Sequence, residues 1–474
     1  MIMNMKNQYI HIRTLIVVGV CLLSCGLGSC KKFLELKPDK LQVTPASLKD
    51  CQALLDDYLT MNSRYPGEGE NAADNYYYTD DSYFNALSPN AQDNYLWKPL
   101  GEHDLTLWQY PYLAAYQANV VLQTLDKIGP SITGDYASIK GQALFFRSFA
   151  FYSVAQLFAK PYDEATAAND PGIPLRLNPD LNYVSVRGTV KQTYERIIQD
   201  LKEAVTLLPV SNLVKTRPTR VAAFAMLART YLAMGKYTEA GIYADSCLNR
   251  YNVLLNYASI ITPSPISTAP TMTRLNAEVI FPALGLSSAP LSQSDVKVDL
   301  ALYNSYQAND KRKVLFFMTN TGANVGTFGF KGSYDGAIST IFCGLATDEI
   351  YLIRAECYAR AGNTISAMAD LNALMSKRWD PALTVPAAPY VNMSASSATD
   401  ALDKILIERR KELVFRTLRW TDLRRLNMES RYATVLSRSM NTLTYTPMQP
   451  KDLRYTMLIP INVITIAGIA QNPR

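Results

Sequence analysis

Between Arg64 and Lys98 the chain has no lysine or arginine, yet it carries Glu68, Glu70, Asp74, Asp80, Asp81 and Asp93. These acids are interleaved with aromatic rings in the stretches DNYYYTDDSYF and DNYLWKP. Flat rings stack on the apolar faces of sugars while carboxylates and amides take the hydroxyls, and the same composition suits peptide capture at a wet aromatic surface. Two other chemistries are less well served. Asp80 and Asp81 as a general acid/base pair are adjacent on one chain and do not oppose each other across a scissile bond as glycosidase carboxylates do. A divalent ion on these acids is a further alternative. The plain structural reading also stands, because tyrosines are common in helical packing and Asp/Asn-rich turns need no ligand.

The other chemistry-bearing residues are few. The apolar run from Leu15 to Leu23, preceded by Lys6 and Arg13, reads as an export leader too short to span a bilayer. Two cysteines follow it in lipobox-like settings, Leu22-Leu23-Ser24-Cys25 and Leu27-Gly28-Ser29-Cys30. The pattern alone fits both. The apolar, flexible Gly26-Leu27-Gly28 and the abrupt Lys31-Lys32 favour Cys30 as the acylated residue, which would anchor the chain to a membrane without spanning it. The remaining cysteines, Cys51, Cys247, Cys343 and Cys357, have no C-x-x-C spacing and read as buried free thiols. One histidine remains after the leader, His103 in GEHDLTLWQY, outside any G-x-S-x-G or H-E-x-x-H context, and it reads as structural. No metal or cofactor is implied.

These residues must be positioned by a chain of 474 residues, 48% hydrophobic and 19% charged, an ordinary globular composition with room for a large core. The net charge of +6 falls to +4 when Lys6 and Arg13 leave with the leader, far from the dense basic patch of a nucleic-acid binder. Helical periodicity dominates. FAMLARTYLAMGKYTEAGIYADSCL, from Phe224 to Leu248, sets Leu227, Ala228, Tyr231, Gly235, Ala240 and Ala244 at tetratricopeptide spacing, and YLIRAECYARAGNTISAMADLN repeats it with Ala355, Tyr358, Gly362, Ala367 and Leu371. Further helices are expected over Trp108–Leu125, Gln142–Phe158 and Thr189–Leu208, the last stopped by Pro209. About a hundred residues separate the two repeat units, so the expectation is a scaffold of helix pairs assembled from distant pieces. Irregular stretches are expected at Tyr65–Pro99, ITPSPISTAPTMT and TNTGANVGTFGFKGSYDG.

A succession of blocks carries a family resemblance: CKKFLELKP, LWQYPYLAAYQANVVLQTL, GQALFFRSFAFYSVAQLFAKPY, GIPLRL, VRGTVKQTYERIIQDLKEAVTLLP, TRPTRVAAFAMLARTYLAMGKY, EVIF, YLIRAECYARAG, IERRKELVFRTLRWTDLRRL and LIPINVITIAGIAQNP. In this order the chain resembles the SusD/RagB family of outer-membrane lipoproteins. The resemblance selects Cys30, because family members place the lipidated cysteine just before a segment like Phe33–Pro38. It implies a mostly α, SusD-like fold of tetratricopeptide-type helix pairs, with irregular insertions forming the ligand face. The expected layout is a leader at 1–29 and one domain at 30–474, with repeat units near 108–158, 189–248 and 348–376. Insertions are expected near 65–100 and 255–345, and a C-terminal family segment over 400–474.

The function implied is nonenzymatic capture of oligosaccharides, or in some members peptides, for delivery to a SusC-like TonB-dependent outer-membrane transporter. The expected location is the outer membrane, lipid-anchored and facing the exterior. The ligand contacts expected are Tyr78, Asp80, Asp81, Tyr83 and Trp97, with Tyr306 and Phe328 from the later insertion. The alternatives are an envelope protein-interaction scaffold and a glycoside hydrolase. Two departures stand out: Arg416-Thr417 replaces the usual Glu-Gly before Arg-Trp, and Lys31-Lys32 replaces the acids that often follow the lipidated cysteine. The cluster Glu408, Arg409, Arg410 and Glu412 lies within about a turn of helix and reads as ion pairing rather than catalysis.

Overall fold

The computed structural model describes residues 45–98, 103–130, 134–180, 182–287, 295–337, 340–441 and 443–474. The leader, Cys25 and Cys30 lie outside the described residues. Ten helices of eight residues or more are described: α1 (Leu48–Leu55), α2 (Thr106–Ile128), α3 (Gly134–Phe158), α4 (Val190–Leu207), α5 (Arg220–Ala233), α6 (Tyr237–Leu248), α7 (Thr347–Arg360), α8 (Thr364–Ser376), α9 (Ala398–Glu412) and α10 (Leu418–Leu426). Among the described residues none is long and apolar enough to cross a membrane.

Local chemistry sets where these helices start and stop. Thr189 and Gln192 form a reciprocal capping box on α4, while Thr219 and Ser397 cap α5 and α9. Pro209 ends α4 as expected. Helix α3 begins at Gly134, eight residues before the expected Gln142, because its first turns are polar and its apolar run starts later. That run is buried on every side, from Gly141 to Tyr152 without a break, as befits a helix in the middle of a stack. Its one buried cation, Arg147, donates to both oxygens of Asp200 on α4 at 2.7 and 2.8 Å and to Asn119 on α2 at 2.9 Å, so one guanidinium ties three helices.

In space the helix pairs form one continuous array. Each of α2 to α7 packs on the next, and α7 also packs on α8 and α9. The two tetratricopeptide units are therefore neighbours despite the sequence between them, since α6 packs directly on α7. Small residues allow this approach: a Cβ on Gly241 of α6 would stand 3.1 Å from the Cβ of Cys357 on α7. The inter-helix turns use Gly235 and Gly362, both in the left-handed region at φ +70° and +81°.

Most of the chain between α6 and α7 leaves the array and joins residues 76–96 in a second body of packing, while Tyr65, Ala72, Ala73, Trp97, Phe281, Ala283, Cys343 and Leu345 stay in the first core. This region is less irregular than the sequence suggested. Tyr76–Tyr78 pairs antiparallel with Val296–Val298, Phe317–Thr319 pairs with Phe328–Phe330, and short helices cover Asp80–Ala86 and Pro89–Tyr95. Together they bury a second hydrophobic core that includes Tyr76, Tyr78, Tyr83, Tyr95, Val298, Tyr306, Phe316, Phe317, Tyr334 and Phe415. Its seam with the array is ionic. Arg378 meets Glu278 and Glu412 at 2.8 and 2.7 Å, and Arg312 meets Asp310, Glu408 and Glu412 at 2.6, 2.5 and 2.9 Å, with both arginines fully buried.

Helix α10 enters this assembly through a strained residue. Thr417, a β-branched residue, sits at φ +62° and makes no side-chain cap bond, while its backbone N–H donates to Glu70 at 2.9 Å. The position where the resemblance expects glycine is thus one whose backbone glycine adopts without cost. Thr417→Gly is expected to raise stability by about 1 kcal/mol in urea unfolding, the relieved strain exceeding the added chain entropy.

On the same helix, Arg425 holds Glu356 of α7 with two bonds of 2.6 and 2.8 Å, and Arg360 adds a third. Burial alone would raise the Glu356 pKa, but the two arginines outweigh it and hold the carboxyl down to about 2. The contribution of this carboxylate is therefore complete above its ordinary value near 4.5 and is lost as pH falls toward 2, on the order of 3 kcal/mol in all. Glu356→Gln is expected to be destabilised at pH 7, with its deficit relative to wild type shrinking in urea unfolding below pH 4.5.

Candidate functional site

The expected ligand residues separate sharply by burial. Tyr78, Tyr83 and Tyr306 are each 2% exposed and Trp97 is 6% exposed, so their rings belong to the packing and not to a solvent-facing platform. Their polar ends are engaged internally: Trp97 Nε1 donates to the Ala72 carbonyl at 3.0 Å, Tyr306 to the Lys411 carbonyl at 2.6 Å and Tyr83 to the Gln92 carbonyl at 3.4 Å. Tyr78 packs edge-on against Tyr95, and the Arg438 guanidinium lies 4.3 Å from the Trp97 ring centre. The expectation that these four rings face a ligand is corrected on this ground. Asp80 and Asp81 are exposed, but Asp80 accepts from the Asn441 backbone at 2.8 Å and Asp81 from Asn85 at 2.7 Å, in the first turn of the helix Thr79 caps. Phe328 alone of the expected rings is half-exposed.

Phe328 brings a different set of residues into view. Its ring stacks on Tyr303 with centroids 3.4 Å apart and planes 12° from parallel. Tyr303 rises from the short helix Leu300–Asn304, which Asp299 caps by accepting from Leu302 N at 2.8 Å. Lys313 places its ammonium 4.6 Å from the Tyr303 ring centre and donates to the Tyr306 carbonyl at 3.2 Å. Strand alternation supplies one more ring: Tyr76 and Tyr78 point into the core, while Tyr77, paired in register with Lys297, is half-exposed and has its hydroxyl pKa raised by burial and then by Asp299. The strand carrying Phe328 lies against the strand that pairs with Tyr77. The lobe therefore presents the rings of Tyr77, Tyr303 and Phe328 with one ammonium and one carboxylate beside them. Rings, an ammonium and a carboxylate are groups that can stack on flat apolar faces and bond hydroxyls, and here regular elements hold them in place. Tyr77, Tyr303 and Lys313 were not anticipated from the sequence, although the strand period through Tyr76–Tyr78 carries the signal for Tyr77.

The acid-base cluster on α9 is structural. Glu408 and Glu412 pair with Arg312 and Arg378, Arg409 with Asp422, and Arg410 with Asp74. His103 packs edge-on to Phe158, and burial lowers its pKa so that the ring stays neutral. The four described cysteines are free and buried, with the thiols of Cys247, Cys343 and Cys357 pushed by burial up to about 12, which leaves them unreactive. Among the described residues no three His, Cys, Asp or Glu side chains gather as metal ligands.

Since Trp97 is a packing residue, Trp97→Ala is expected to lose about 3–5 kcal/mol of stability in chemical unfolding, instead of losing ligand affinity at unchanged stability.

Comparison with known proteins places this geometry. A family model described as starch-binding, associating with outer membrane, matches residues 32–232, and a second, described as the SusD family, matches residues 293–462. The SusD-like protein P2 of Formosa agariphila is 22% identical over 342 residues, covering 61% of this chain and 65% of the relative, just under two thirds of its length. Among solved structures, a SusD superfamily protein from Bacteroides vulgatus aligns with a TM-score of 0.71 at 19% identity, over 90% of this chain and 99% of that one. Surface glycan-binding protein A from Bacteroides uniformis aligns with a TM-score of 0.66 at 17% identity, over 90% and 98%. The helix-pair array, the lobe inserted between its repeat units and the two family models matched in chain order agree, and the chain belongs to the SusD/RagB family.

Proposed function

We propose that this chain is a nonenzymatic, lipid-anchored outer-membrane binding protein that captures nutrient oligosaccharides and hands them to a SusC-like TonB-dependent transporter. The observation that carries the binding step is the stacked Tyr303–Phe328 pair, half-exposed on the inserted lobe with Lys313 over one ring. Rings held on short strands and a capped helix lose little freedom when a sugar stacks on them, so the surface is preorganised. The family match supports attachment and delivery, and the naming of one fold neighbour as a surface glycan-binding protein supports the ligand class. Acylation of Cys30 would provide the anchor, and the exterior face of the outer membrane is where capture from the medium has to occur.

The reading is tested by titrating soluble protein starting at Lys31 with a panel of neutral oligosaccharides, acidic oligosaccharides and peptides in a calorimeter, beside Tyr303→Ala and Phe328→Ala. Saturable binding to one class of oligosaccharide, weakened about tenfold or more in each variant (~1.4 kcal/mol), is the expected result. Binding unchanged in both variants would remove the site from this face, and silence across the whole panel from folded protein would overturn glycan capture.

A further inference from the structure

The ionic seam between lobe and array does not balance. Four buried cations, Arg312, Arg378, Lys411 and Arg416, face five buried carboxylates, Glu278, Asp310, Asp348, Glu408 and Glu412, in one set of ion pairs joined through Tyr334. The adjoining pairs Arg229–Glu349 and Lys311–Asp380 are each neutral and leave the excess in place. An uncompensated negative charge in a buried network is costly, and a single bound proton removes it.

The hydrogen bonds show where that proton fits. The Tyr334 hydroxyl lies 2.5 Å from Glu278 Oε2, 3.2 Å from Asp348 Oδ2 and 2.6 Å from the Tyr257 hydroxyl. With both carboxylates ionised, one hydroxyl proton is divided between two anionic oxygens. A proton on Glu278 gives each contact a bond of its own: Glu278 Oε2–H and Tyr257 O–H donate to the Tyr334 oxygen, and Tyr334 donates to Asp348. Asp348 is the partner that stays ionised. Arg416 donates to it at 2.5 Å and, with Arg378, outweighs burial to hold its pKa below the ordinary carboxylate range. The other groups facing Glu278 are Arg378, which donates to its two oxygens at 2.8 and 3.0 Å, Glu412 of α9, and Tyr251, whose hydroxyl donates to the Ala277 carbonyl. Burial is the largest influence on Glu278 and raises its pKa from 4.5 to about 7, with Asp348 and Glu412 pushing the same way against Arg378.

We propose that Glu278 is a proton-binding site that links the docking of lobe on array to pH, the folded protein taking up one proton there across the neutral range. The folded state then binds a proton that the unfolded chain releases. The stability this supplies is complete below pH 4.5 and is lost as pH rises through 7, so the seam is firmest in mildly acidic medium. The device is separate from the Tyr303–Phe328 stack and stands whether or not that stack binds glycan.

The test follows the soluble chain starting at Lys31, labelled with carbon-13 at the glutamate carboxyls, by NMR from about pH 5 to about pH 9, beside Glu278→Gln and Tyr334→Phe. The expected result is a carboxyl resonance with a midpoint near 7 that is absent from Glu278→Gln and displaced by about half a pH unit or more in Tyr334→Phe. In urea unfolding, the folding equilibrium constant of wild type is expected to fall relative to that of Glu278→Gln by on the order of a hundredfold as pH rises from about 4.5 to about 8. Glu70, also raised by burial to about 7, is common to all three proteins and cancels from the comparison. A set of neutral-range resonances identical in wild type and Glu278→Gln, or a stability ratio between them that does not change with pH, overturns the proposal. If Glu278→Gln does not fold, Tyr334→Phe decides: wild-type resonances that all keep their midpoints in that variant overturn the assignment to Glu278.

Discussion

Two arginines with no solvent exposure, Arg312 and Arg378, decide how the rest of this molecule is assembled. Their carboxylate partners come from three distant parts of the chain: Glu278 and Asp310 from the insertion, and Glu408 and Glu412 from α9. Tyr334 of the insertion extends the network by donating to Glu278 at 2.5 Å and to Asp348 of α7 at 3.2 Å, and Arg416 donates to the same Asp348 oxygen at 2.5 Å. Withdrawing one charge from such a cluster leaves its partners buried and uncompensated, a loss of roughly 3–5 kcal/mol, whereas a shifted register loses several bonds at once. The network therefore favours one docking of lobe on array.

That fixed docking also holds the lobe's surface rings in place. Its aromatic residues divide into two populations. Tyr76, Tyr78, Tyr83, Tyr95 and Tyr306 build the second core, and Phe330 stacks on Phe415 with centroids 4.4 Å apart, joining the lobe to the chain between α9 and α10. Tyr77, Tyr303 and Phe328 are left at the surface on strands and a helix whose other sides are locked into that core. A rigid platform of rings follows from the packing beneath it.

The segment between α9 and α10 shows how a family pattern tolerates replacement. Arg416 keeps its charge buried by pairing with Asp348 and lying over Tyr334 and Phe342, at 4.7 and 5.2 Å from their ring centres. Its Nε and Nη2 remain without partners, and Thr417 beside it holds a backbone conformation that favours glycine. Both are local costs just before a helix on which Arg419 pairs with Asp74 and Arg425 with Glu356 and Asp422.

By itself the sequence determined the helical array. Periodic apolar positions, the caps at Thr189, Thr219 and Ser397, and glycines where the chain must turn left-handed at Gly235 and Gly362 are local signals, and local signals set helices. The family-like blocks were legible for the same reason, since most lie on those helices. Tertiary structure alone decided which aromatic residues meet solvent. Tyr76, Tyr77 and Tyr78 are identical in type and consecutive, and only pairing with Val296–Val298, more than two hundred residues away, turns two inward and one outward. Acid-rich and aromatic composition could not separate Tyr78, Tyr83, Tyr306 and Trp97, which are buried, from the half-exposed Phe328, because an aromatic ring fills a core and offers a stacking surface with the same atoms.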